Sequence, residues 1–254
     1  MKEATPIDNV THIKEAFEQP GWYLQRTAYN ITLRTETVAE FLNGIRCDSI
    51  LDIGCGDGSL SLHLLNEDNH VTFLDQSQTM LGIVRSRVPA QLSTQINTLN
   101  SGFMEAKLVP DSFDLIICVG VLAYIQVQDR RDFINKIKSL LKPGGLLILE
   151  CTDGPHIISR IGRGYASLVK ILKPSKMRTI VGSSSKVLEI CRELGFELQG
   201  TFRYSLPLPI ISKLMSQKTS YDAIRRIYGS AKTNHRPSLG NECLYYFRIP
   251  TNKK

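Results

Sequence analysis

The sequence predicts an α/β domain built on a mostly parallel sheet that is covered on both faces. Three observations carry this. Short apolar runs alternate with helical patterns along most of the chain, a glycine-rich turn follows the first of those runs, and 254 residues with 42% hydrophobic and 22% charged side chains suffice for one sizeable core.

The first 45 residues read as helical. Five segments then read as strands, because each is a short apolar run bounded by turn residues: SILDIG (49–54), HVTFLD (70–75), FDLIICVG (113–120), GLLILEC (145–151) and FELQGTFRY (196–204). Helical patterns lie between them: SLSLHLLNE after the glycine turn, SQTMLGIVRSRV after Asp75, and DRRDFINKIKSLL before KPGG. Pro143, Gly144 and Gly145 are expected to stop that last helix, since proline cannot continue it and glycine tolerates a left-handed cap. ECLYYFRIP (242–250) reads as a further strand, antiparallel at or near an edge. Two stretches break the rhythm, 154–188 and 205–240. With the N-terminal segment they are candidate lids on the substrate side, since ligands of open α/β sheets bind outside the carboxyl ends of the strands.

Composition narrows the function classes. The N-terminus, MKEATPIDNVTHIKEAF, lacks the apolar core of a secretory signal, and LIICVGVLAYI is far shorter than the roughly 18 residues of a spanning helix. A cytoplasmic protein is expected. Six widely spaced cysteines with no CxxC read as reduced packing residues, with neither a disulfide framework nor a metal site. Charge is uneven. Residues 1–152 carry 13 Lys/Arg against 18 Asp/Glu, a net of −5, whereas residues 153–254 carry 18 against 6, a net of +12.

LDIGCGDGSL (51–60) holds the chemistry. Gly54 and Gly56 allow a tight strand-to-helix turn and a close approach of backbone to ligand. A dinucleotide fingerprint would need glycine at position 59, where Ser59 stands. Asp52 and Asp57 would also repel a pyrophosphate, so the turn suits a ligand that brings positive charge and no phosphate. Asp75 ends the next strand about 20 residues on, the placement from which a carboxylate accepts hydrogen bonds from ribose hydroxyls. A ribose, a cationic tail and no phosphate are therefore expected.

These segments, over roughly residues 34–204, resemble the class I S-adenosylmethionine-dependent methyltransferases. LDIGCGDG matches the first motif of that family, VTFLDQSQTML the second, VPDSFDLIICVGVLAYI the fourth strand with its approach, and LKPGGLLILE the turn and strand that follow. The resemblance implies a Rossmann-like three-layer sandwich, a seven-stranded mostly parallel sheet with its last strand antiparallel, and helical lid segments. It implies a single domain over 1–254: a lid at 1–45, a cofactor-binding core at 46–153, a basic lid insertion at 154–188, and C-terminal strands at 189–254 with an insertion at 205–240. It further implies S-adenosylmethionine as cofactor, with S-adenosylhomocysteine as product. Asp52, Gly54, Cys55, Gly56 and Gly58 would surround the methionine part and Asp75 the ribose, with Gln76 beside it and Val119 at the end of the fourth strand. The usual adenine-binding acid is absent; Gly102 and Phe103 occupy its place. Arg34 resembles an arginine that quinone-type O-methyltransferases direct at the methionine carboxylate.

Transfer of an already activated methyl group needs chiefly alignment. If the acceptor is a hydroxyl, His156 is the expected general base and Tyr124 a positioning group. No Asn/Asp-Pro-Pro-aromatic segment follows FDLIIC, and no acid lies between Asp114 and Asp129, which marks down exocyclic base amines and arginine as acceptors. A small molecule, methylated at oxygen, is expected. Segment 154–188 has seven Lys/Arg and no acid, and its apolar positions fall on one helical stripe. It suits contact with an anionic membrane carrying a prenylated, quinone-like or lipid-borne acceptor, an ordinary lid helix, or attraction of an acidic or phosphorylated acceptor. RNA is disfavoured because a stacking platform is missing. A non-catalytic cofactor-binding scaffold is the reading from another class.

Overall fold

The computed structural model describes residues 15, 17, 18, 28–172, 179–205 and 215–251, with backbone alone at 28 and 165–172. Most of the expected N-terminal helical segment before residue 28, and parts of both insertions, lie outside the described residues. Seven strands form one sheet: β1 (Ser49–Ile53), β2 (His70–Asp75), β3 (Ile96–Asn100), β4 (Phe113–Cys118), β5 (Leu141–Thr152), β6 (Glu197–Tyr204) and β7 (Glu242–Arg248). Their order is β3-β2-β1-β4-β5-β7-β6. The first five are mutually parallel, and β7 runs antiparallel to both β5 and β6. The antiparallel last strand thus sits one place in from the edge.

Among the described residues there are six helices: α1 (Ala28–Leu42), α2 (Gln78–Arg87), α3 (Arg130–Leu140), α4 (Ile157–Leu172), α5 (Ser184–Glu193) and α6 (Gln217–Tyr228). Side-chain alternation along each strand divides the core. Ile50, Phe73, Leu115, Ile117 and Ile148 pack beneath α1, α2 and α6, whereas Leu51, Leu74, Ile116, Leu147 and Leu149 pack beneath α3 and α5. In α1, Leu33 and Val38 are fully buried in the first of these layers, so this part of the expected N-terminal lid belongs to the core. Arg225 of α6 ties down onto it through Glu36 at 2.5 Å and Glu40 at 3.2 Å.

Three local readings differ from the sequence expectation. SLSLHLLNE forms a single 3₁₀ turn at Leu62–Leu64 instead of a helix. Its backbone is turned back by Asn69, whose amide nitrogen donates to the Leu64 carbonyl at 2.8 Å and whose side-chain oxygen accepts from the Asn66 N–H at 3.0 Å. Strand β3 is an edge strand with no fully buried residue, which is why INTLN carries no apolar signal. Helix α3 ends at Leu140, before Pro143, and Pro143–Gly145 form an irregularity inside β5, where the register jumps from Phe113↔Leu141 to Leu115↔Leu146.

The loop after β4 is fixed from below by Arg130. Its buried guanidinium donates to the carbonyls of Leu122 at 2.9 Å, Ile125 at 3.3 Å and Ile180 at 2.7 Å. A buried carbonyl left without its donor costs about 1–3 kcal/mol, so this one cation sets the position of residues 122–125 and of the chain at 180. Among the described residues no helix is long and apolar enough to cross a membrane.

Candidate functional site

A cavity of about 1020 Å³ opens above the carboxyl ends of β2, β1, β4 and β5 and the start of β7. Its size lies at the top of the range for ligand pockets, enough for a nucleoside-sized molecule and a second small one.

The turn after β1 forms one wall. Gly54 has φ +64° and Gly56 φ +54°, conformations that L side chains rarely adopt. A Cβ on Gly54 would lie 2.5 Å from Val121 Cγ2, whereas one on Gly56 would meet no atom within 4 Å, since that position faces the open cavity. The turn is held from β2: the N–H groups of Gly54 and Cys55 donate to the Leu74 carbonyl, and Gly56 N–H donates to Asp75 Oδ2 at 2.9 Å. Asp75 Oδ1 accepts from Ser77 N–H at 2.8 Å. Each oxygen keeps a second lone pair for a donor in the cavity. Burial raises the pKa of Asp75 above the ordinary carboxylate value, and its backbone hydrogen bonds oppose that rise. Asp57, the other acid of the turn, is neutralised by Arg87 at 2.6 Å.

Not every predicted site residue reaches the cavity. Arg34, Gly54, Cys55, Gly56, Asp75, Gln76, Gly102, Phe103, Val119 and Tyr124 line it. Asp52 lies beneath the turn instead, 1% exposed, where the Ser61 hydroxyl donates to its Oδ2 at 2.5 Å. Burial, with the charges of Asp75 and Asp57, pushes its pKa from 3.8 up to about 7 against the Ser61 bond. Gly58 is also off the cavity wall; a Cβ there would press on Leu62 and Val84 at 3.0–3.1 Å. His156 is turned away too. Its Nδ1 accepts from the Ile158 N–H of α4 at 3.3 Å, so its Nε2 donates to the Ser238 carbonyl at 2.9 Å, and both ring nitrogens are occupied. The Cys55 thiol is held well above its usual pKa, first by burial and then by the charge of Asp52, and stays protonated.

Arg34 lines the cavity in a bidentate pair with Glu150, Nε to Oε1 at 2.8 Å and Nη2 to Oε2 at 2.5 Å. Glu150 also accepts from the Tyr204 hydroxyl at 3.3 Å. Next along the sheet, the Thr152 hydroxyl donates to Glu242 Oε2 at 2.8 Å, and Asn241 Nδ2 donates to Oε1 at 3.2 Å. Burial, with Glu150 nearby, pushes the pKa of Glu242 from 4.5 up to about 7, while Thr152 and Arg34 oppose it. Glu150 and Glu242 escaped the sequence reading because the register that brings Thr152 opposite Glu242 is a tertiary fact. At the opposite end, Glu105 occupies the place where a Cβ on Gly102 would stand. The acid missing at positions 102 and 103 is thus returned one turn later, where Ala106 N–H closes onto Gly102 O at 3.0 Å. Lys136 fastens that turn by donating to the carbonyls of Phe103, Met104 and Ala106 at 2.8–2.9 Å.

Residues 50–145 match a family model described as a methyltransferase domain. The chain is 30% identical over 120 residues to the ubiquinone biosynthesis O-methyltransferase of Aeromonas salmonicida (strain A449), covering 46% of this chain and 48% of that one. It is 25% identical over 158 residues to the enzyme of the same name from Erwinia tasmaniensis, covering 57% and 64%. The chain therefore spans less than two thirds of the length of these curated relatives. Its fold is similar to that of magnesium protoporphyrin IX methyltransferase from Synechocystis PCC 6803 with bound SAH (TM-score 0.65, 16% identity, 95% of this chain and 99% of that one).

The raised pKa of Asp52 carries a stability prediction. Folding binds its proton between pH 3.8 and about 7, so the native state loses stability as pH rises through that window. Asp52→Asn removes the slope. Chemical denaturation from pH 4 to pH 8 should show the variant gaining on the wild type by on the order of 3 kcal/mol; parallel curves would contradict the assignment.

Proposed function

We propose that this chain, which belongs to the class I S-adenosylmethionine-dependent methyltransferase family, transfers the methyl group of S-adenosylmethionine to a hydroxyl oxygen of a small-molecule acceptor. The observation that carries the reading is the wall made jointly by Gly54–Gly56 and Asp75, which offers open backbone and carboxylate lone pairs and no cation for a phosphate. Asp75 would hold the ribose hydroxyls, the turn at 54–56 would lie along the amino-acid tail, and Phe103 with Glu105 would enclose the adenine. S-adenosylmethionine, when bound, supplies a methyl group already activated as a sulfonium. What remains for the protein is alignment and exclusion of water, which on general grounds supply a large part of the rate. Tyr124, in the wall after β4, would orient the acceptor; burial raises its hydroxyl pKa, which keeps it a donor.

The names of the O-methyltransferase relatives support oxygen as the atom methylated. They also support a second reading, in which the acceptor is quinone-like, prenylated or lipid-borne. Ile157 and Ile161 on the first turns of α4 are 59% and 52% exposed, with Arg160 and Arg163 exposed beside them, and the helix starts five residues beyond Thr152 of the cavity wall. That pattern suits a surface helix lying on anionic lipid.

Calorimetric titration tests the main reading: S-adenosylhomocysteine should bind, and Asp75→Ala should weaken it at least tenfold. No measurable binding by the intact chain would end it. For the second, sedimentation with vesicles of anionic lipid, and not with vesicles of neutral lipid, should carry the protein down. Equal failure with both excludes it.

A further inference from the structure

The floor of the cavity crosses five adjacent strands, from Asp75 on β2 through Gly54 beyond β1 and Val119 beyond β4 to Thr152 on β5 and Glu242 on β7. Four inter-strand gaps of about 4.8 Å make this roughly 19 Å. A nucleoside held by Asp75 and the turn at 54–56 occupies the β2, β1 and β4 positions. The end over β5 and β7 is left for the acceptor.

That end is acidic. Among the described residues the cavity wall carries seven carboxylates and one cation, Arg34, in a chain whose formal net charge is +7. Arg34 is already bonded through both edges to Glu150. Glu242 has no cation within ion-pair distance among the described residues, and its side-chain hydrogen bonds come from Thr152 and Asn241. The charged and titratable groups facing it are Glu150 from β5, Arg34 from α1 and Tyr204 from β6. At this end of the cavity the other candidates are engaged: His156 bonds Ile158 and Ser238 outside the cavity, and Glu150 is paired with Arg34, while Asp129 and Asp132 line the wall after β4. Glu242 is left as the cavity carboxylate with free lone pairs at the acceptor end. Its titration near pH 7 matches what a general base needs.

Resting on the methyl-transfer reading above, we propose that Glu242 is the proton acceptor of the reaction, and that the acceptor is a hydroxyl compound carrying no anionic group. The hydroxyl O–H bond breaks toward a Glu242 oxygen, the O–C bond forms as the S–CH₃ bond breaks, and the sulfonium leaves as a neutral thioether. The protonated Glu242 then returns its proton to solvent. A phosphorylated or carboxylate acceptor would place a further negative charge beside Glu150 and Glu242 in a partly dry cavity with no spare cation, a costly arrangement. The basic surface of the C-terminal half is not the surface that meets the nucleophile.

Three phenols of one size and different charge test this: 4-methylphenol, tyramine and 4-hydroxybenzoate. Each is titrated into the chain saturated with S-adenosylhomocysteine, then assayed with labelled S-adenosylmethionine from pH 6 to pH 9. The neutral and cationic phenols should bind at least tenfold more tightly than the anion. Transfer to them should rise through about pH 7, and Glu242→Gln should lower kcat by about a hundredfold and flatten that profile, while S-adenosylhomocysteine affinity stays within twofold and Glu242→Asp restores part of the rate. Preference for the anion, failure of all three phenols to bind or react in a chain that binds S-adenosylhomocysteine, or an unchanged profile in Glu242→Gln, overturns the proposal. A wild-type chain that binds no S-adenosylhomocysteine overturns the methyltransferase reading itself, and this one with it.

Discussion

Everything at the cofactor end of this molecule depends on one carboxylate. Asp75 sits at the tip of β2 and accepts one backbone N–H from the glycine turn after β1 and another from Ser77 at the head of α2. It therefore joins the turns that follow two strands neighbouring each other in the sheet. The same two oxygens fix the turn and present lone pairs to whatever enters the cavity. Three glycines at positive φ, Gly54, Gly56 and Gly58, make the turn feasible, and Gly56 leaves open the space that a side chain would fill. Beneath it, Asp52 is buried against Ser61 and supports the turn from below without meeting the ligand.

The parallel core was legible in the sequence because buried parallel strands read as continuous apolar runs, and SILDI, HVTFL, FDLIIC and GLLILEC do so. INTLN was not legible, since an edge strand with half-exposed side chains and two asparagines has nothing to bury. The helix expected after the glycine turn failed for another reason. SLSLHLL has leucines at helical spacing, but only 11 residues, 59–69, separate the turn from β2, and Asn66 and Asn69 reverse the chain within them. Leucine spacing reported burial there, and the burial is satisfied without a helix, as Leu60, Leu62, Leu64 and Leu65 pack against the core from irregular backbone.

The site divides in the same way. The cofactor side follows from local motifs, and Gly54, Cys55, Gly56, Asp75 and Gln76 all reach the cavity. The end over β5 and β7, where we propose that the acceptor sits, is assembled by long-range register. Glu150 and Arg34 are 116 residues apart, and Thr152 and Glu242 are 90 residues apart. No sequence spacing announces such pairs. His156 stood out as a histidine just after a strand, yet its ring is taken up by the Ile158 N–H of α4 and the Ser238 carbonyl. Net charge misleads at the same point: the half of the chain with a net charge of +12 contributes Glu242 to a cavity whose charged lining residues, among those described, are all acidic except Arg34.

A carboxylate-walled turn that accepts a sulfonium nucleoside must also reject a diphosphate, and selectivity between the two is the sharpest statement of the account. The direct measurement is competition for the purified chain between S-adenosylmethionine and NAD, followed by calorimetry at a fixed ionic strength. Saturable binding of S-adenosylmethionine that NAD does not displace at a hundredfold excess is the expected result. Equal or tighter binding of NAD would contradict it.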